Sequence, residues 1–136
     1  MTSLPMDGAR TQSHALAERV RAHLREIAVQ GSPITYRALA EALALAPPNR
    51  IHQVAEALEQ LMREDAANGH PFIAALVISK ARNGLPAPGF FDAARRLGRF
   101  TGDPSGPQAS AFHQATLAAA VAFWRAADGT ETDDVA

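Results

Sequence analysis

Apolar residues recur through the first half of the chain at helical spacing, and one short run breaks that rhythm. Leu16, Val20, Leu24 and Ile27 stand four, four and three apart, which aligns them on one face of a helix. Ser13 can cap that helix and Gly31 can close it, so a first helix is predicted from about Ser13 to Val29. Thr35 can cap a second helix carrying Leu39 and Leu43, and Pro47-Pro48 forbid its continuation. Asn49 caps a third, in which Ile51, Val54, Leu58, Leu61 and Met62 form the inward stripe and Asn68-Gly69 the end. Phe72 to Ser79 is apolar and β-branched, the pattern of a strand covered on both faces. Arg82-Asn83-Gly84 is a turn signal, and the two prolines of LPAPG argue against a second strand after it. Phe90 to Leu97 fits a short helix with Gly98 beyond its end. Pro107 can open a last helix to about Ala126, with Phe112, Ala115, Ala119 and Phe123 on one side.

That order of elements predicts a mostly helical α+β domain over 13–127, a winged helix-turn-helix with an added C-terminal helix. Residues 1–12 are expected to be disordered, and the acidic stretch 128–136 to be a mobile tail. At 136 residues the chain can build one modest core without staples. It has no cysteine, which removes disulfides, thiolate metal sites and a cysteine nucleophile. No apolar run approaches the roughly 20 residues of a membrane span. The segment MTSLPMDGAR lacks a signal-peptide core, so the expected compartment is the cytoplasm.

A net charge of −1 does not announce a nucleic-acid partner, but its distribution is uneven. Lys80, Arg82, Arg95, Arg96 and Arg99 face only Asp92 between residues 71 and 100, whereas 101–136 holds Arg125 against five acids. A basic block around a turn is what phosphate contact requires, and a solvated surface would show the same composition.

Catalytic motifs are absent. No pair among the five histidines has helical metal-ligand spacing, no serine stands in G-x-S-x-G, and no Gly-rich phosphate loop occurs. No metal, no cofactor and no enzyme activity are expected. The third helix carries the binding hypothesis. Arg50 and Gln53 lie three apart with Ala57 a turn beyond, and Arg and Gln suit guanine and adenine edges. Lys80, Arg82 and Asn83 would touch phosphate or the minor groove from the turn, and Tyr36 and Arg37 the backbone from the second helix. Double-stranded DNA is the expected partner. Glu56, Glu59 and Glu64 on the same helix weigh against it, and an i,i+4 pair such as Glu59–Arg63 would make that helix a plain solvated face. The alternative is a protein-interaction module on the same scaffold, using that surface or the Phe123- and Trp124-bearing last helix. Oligomeric state is open.

Ile34, Thr35, Tyr36, Leu39 and Ala40, in ITYRALA, carry a resemblance. The stretch from there through the third helix and the apolar run resembles the DNA-binding half of the alkylguanine-DNA alkyltransferases and their alkyltransferase-like relatives. It implies a winged-helix fold on duplex DNA. Arg37 replaces that family's glycine, and Ala74-Ala75-Leu76 stands where the family has Pro-Cys-His-Arg. Without the cysteine, alkyl transfer to this chain is excluded. Ile78, Lys80, Gly84, Pro86, Gly89 and Phe90 also resemble an L-V-V-N-K-x-T-G-x-P-G-x-G-F segment of small bacterial and phage proteins, some beside nuclease or defence modules. Ser79 departs from its Asn and Ala87 from its second Gly. This likeness covers roughly 33–100 and implies a regulatory or defence-associated setting without a mechanism.

Overall fold

A computed structural model describes residues 4–104 and 106–135, with side chains described over 14–104 and 106–127. Five α-helices and one small parallel sheet are present among them: α1 Leu4–Gln30, β1 Ile34–Thr35, α2 Tyr36–Ala42, α3 Arg50–Ala67, β2 Val77–Ile78, α4 Pro88–Arg96 and α5 Pro107–Val135. Two 3₁₀ turns, Ile73–Leu76 and Lys80–Arg82, flank β2. The class is α+β and mostly helical. No helix among the described residues is long and apolar enough to cross a membrane.

Several local signals act as their residues dictate. Thr35 Oγ1 accepts the Ala38 N–H at 3.1 Å, satisfying one of the free donors at the start of α2. Gly31 ends α1 at φ 81°, and an added Cβ there would sit 2.7 Å from Arg125 Nη2. Asn83 (φ 58°) and Gly84 (φ 86°) are consecutive left-handed residues that reverse the chain after Lys80–Arg82.

Other boundaries and faces differ from expectation. α1 begins at Leu4 rather than near Ser13. The disorder expected for 1–12 and the mobility expected for 128–136 concern segments whose side chains lie outside the described residues; the backbone is helical from Leu4 and through Val135. Asn49 precedes α3 in the left-handed region (φ 65°) and makes no side-chain cap. Ile51 is 48% exposed instead of inward, because the α3 stripe starts to pack only at Val54. On α5 the inward residues are Ala109, His113, Ala120 and Trp124, while Ala115 and Ala119 face out.

The largest correction concerns Phe72–Ser79. Only Val77–Ile78 is strand, pairing in parallel as Ile34↔Val77 and Thr35↔Ile78. Its partner is two residues long because Pro33 precedes it and α2 begins at Tyr36. The residues before it wind into the buried turn Ile73–Leu76, two of whose backbone groups are met by side chains. Asp65 Oδ2 accepts the Ile73 N–H at 3.0 Å, and His113 Nε2 lies 3.0 Å from the Ala75 carbonyl oxygen. A carbonyl only accepts, so Nε2 carries the hydrogen.

The core surrounds this turn. Phe72 and Phe91 are fully buried with Leu24, Leu39, Leu61 and Met62, each burial worth roughly 1.5–3 kcal/mol. Phe90 meets Phe72 and Phe91 edge-on. Trp124 Nε1 donates to the Pro71 carbonyl at 3.4 Å, and His70 rests on Phe123. Burial of His113 pushes its pKa below the ordinary value, against the Ala75 hydrogen bond. The unfolded chain therefore takes up the proton first as pH falls below about 6.5. Stability should decline from pH 7 to 5, and His113→Gln, whose amide can still donate to Ala75, should flatten that decline. Urea midpoints measured across this range check it; parallel curves for both proteins would refute it.

Candidate nucleic-acid interface

The parallel register relates two of the candidate segments. Pairing Thr35 with Ile78 sets the start of α2, Tyr36 and Arg37, beside the start of the loop that follows β2. Backbone bonds close that loop: Ser79 N–H donates to Leu85 O at 2.8 Å and Gly84 N–H to Ser79 O at 3.3 Å. Among the described residues, no second strand extends this closure. Lys80 and Asn83 are exposed and Arg82 half-buried, and none of the three side chains has a hydrogen bond or ion pair. Across the α2–α3 junction, Arg37 and Arg50 line one open groove of about 580 Å³ with Glu41, Asn49, Ile51 and His52. Neither arginine is bonded to the protein. Four cations are therefore unpaired, Arg37 and Arg50 on the groove with Glu41 as its acid, and Lys80 and Arg82 on the loop after β2.

Three expectations are corrected. Tyr36 is buried, and its hydroxyl accepts the Ala87 N–H at 3.0 Å, tying α2 to the start of α4. Desolvation raises its pKa above the ordinary value, more than the Ala87 bond and the Arg82 charge lower it. It cannot touch a phosphate without leaving the core. Gln53 donates its amide to the carbonyls of Ala46 and Pro48, both at 3.1 Å, so its side chain closes the α2–α3 junction. Ala57 is buried instead of lying outward beyond Arg50 and Gln53.

The expected basic block also divides. Arg99 donates to the carbonyls of His70 (2.6 Å) and Asp65 (3.3 Å) while stacking 4.4 Å from the Phe72 ring centre, so it closes the end of α3. Arg95 donates to Gly102 O, and Arg96 pairs with Glu59 at 3.4 Å, displacing the expected Glu59–Arg63 pair. Of the five cations in 71–100, Lys80 and Arg82 stay uncommitted.

One cluster escaped the sequence. Asp65 is 1% exposed, with Oδ1 2.9 Å from Arg21 Nη1 in an ion-pair contact that lacks hydrogen-bond alignment. Arg21 also reaches Glu64 at 3.1 Å and lies over Trp124 at 5.2 Å. Burial pushes the Asp65 carboxyl above its ordinary range, opposed by the Ile73 N–H and Arg21. A signal existed: Asp65 continues the Val54–Leu58–Leu61 stripe, and a carboxylate in an apolar register needs a partner. This pair joins α1, α3 and the Ile73–Leu76 turn rather than facing a ligand. No group of three or more His, Asp or Glu residues suited to a metal occurs among the described residues.

Comparison of the chain with protein-family profiles, curated proteins and solved structures gives no match.

Proposed function

We propose that this domain is a winged helix-turn-helix that binds double-stranded DNA in the cytoplasm without catalysing a reaction on it. The observation that carries this reading is two pairs of cations whose side chains make no hydrogen bond or ion pair within the protein: Arg37 and Arg50 on one groove, and Lys80 and Arg82 on the loop that follows β2. Cations held by backbone geometry but unused internally are suited to phosphate oxygens. The loop 79–85 serves as the wing and α3 as the recognition helix, with Arg50 toward the groove. Asn83, at the loop tip, can donate to a phosphate or reach the minor groove.

A duplex of mixed sequence should bind at low salt, and log K should fall against log salt with a slope of about −3.6 if all four cations meet phosphates. Fluorescence anisotropy over a salt series measures both. Failure to bind any duplex at about 50 mM salt ends this reading, since non-specific attachment is the least such a surface supplies. Ile51 favours the second reading, a protein-interaction module: it is a large apolar side chain 48% exposed on the groove wall, in a chain whose net charge is −1.

A further inference from the structure

We propose that the α3 end recognises a guanine beside a thymine in duplex DNA, Arg50 reading the guanine and Ile51 the thymine methyl. This rests on the DNA-binding reading above.

The free guanidinium of Arg50 supplies the first part. Among the residues opening α3, the Gln53 amide is held by Ala46 and Pro48, and Asn49, exposed on the same groove without a side-chain cap, is the amide left for an adenine edge. His52 Nε2 lies 3.4 Å from Glu56 Oε2 on the next turn. Arg50 keeps all its N–H donors free. A guanidinium has no acceptor, so it matches the O6 and N7 acceptors of guanine and is mismatched to the N6 donor of adenine.

Ile51 supplies the second part. Val29 and Ile51 are the exposed large hydrophobics among the described residues, and Ile51 alone lines the groove with Arg50. It has no polar atom to offer a base edge. The thymine C5-methyl is the apolar group that the major groove presents, so covering Ile51 there removes two apolar surfaces from water together. The two side chains follow each other in the first turn of α3, ahead of the point at which Val54 begins the packed stripe. Both side chains line the same groove, so one stretch of base edges can meet both.

The test uses the full chain and short fluorescent duplexes that differ only at a central guanine–thymine step. Wild type should bind the guanine–thymine duplex about tenfold more tightly than one with adenine in place of guanine. Deoxyuridine in place of thymine, which removes only the methyl, should weaken binding roughly threefold. Arg50→Lys keeps the charge but loses the fork, so its affinities for the guanine and adenine duplexes should become equal. Ile51→Ala should bind the thymine and deoxyuridine duplexes equally. Equal wild-type affinity for every duplex overturns this inference and leaves DNA binding standing, whereas binding to none overturns both.

Discussion

Changing Lys80 and Arg82 together to Glu is expected to lower duplex affinity about 100-fold or more at low salt, leaving the fold intact. The double change removes two of the four unpaired cations and places two anions where phosphates would lie, so attraction becomes repulsion. Neither side chain holds the protein together, because backbone bonds between Ser79, Gly84 and Leu85 close the loop. Surface changes of this kind alter stability by about 0.5 kcal/mol. Anisotropy titration should therefore show lost binding and thermal melting an unchanged midpoint. Undiminished affinity in the double variant would remove the loop from the interface. It would also leave Arg37 and Arg50 as too small a charge set to explain attachment.

Replacing Asp65 with Ala is expected to cost about 3–5 kcal/mol and lower the thermal midpoint on the order of 10 °C. The loss has two sources. Arg21 would keep its Glu64 contact but leave Nη1 facing a cavity, and the Ile73 N–H would lose its acceptor in the buried turn. Because that turn feeds directly into β2 and the loop, weakened duplex binding should accompany the lower stability. Arg21→Met combined with Asp65→Leu should recover part of the stability, since an apolar pair of similar volume leaves no uncompensated charge. Single and double variants compared by thermal melting decide it; an Asp65→Ala midpoint within about 2 °C of wild type would mean that the pair is dispensable.

Sequence by itself determined the features whose causes lie within a turn or two of chain. Thr35 caps α2, Gly31 and Gly98 end their helices in the left-handed region, and Pro107 opens α5, because each acts on its nearest backbone groups. Asn83-Gly84 reverses the chain for the same reason. Only the tertiary structure decided which side chains remained free. Arg99 and Lys80 belong to one basic block in sequence, yet Arg99 finds carbonyls 29 and 34 residues away, while Lys80 stands at a loop with no acceptor in reach. Tyr36 likewise belonged to the expected binding surface until Ala87, 51 residues on, supplied a donor for its hydroxyl in the core. Phe72–Leu76 has strand composition, but Asp65 and His113 hold its backbone from α3 and α5, and a two-residue partner strand cannot extend the ladder further. A polar group takes whichever partner the packed chain brings within about 3 Å, and that depends on segments far apart in the sequence.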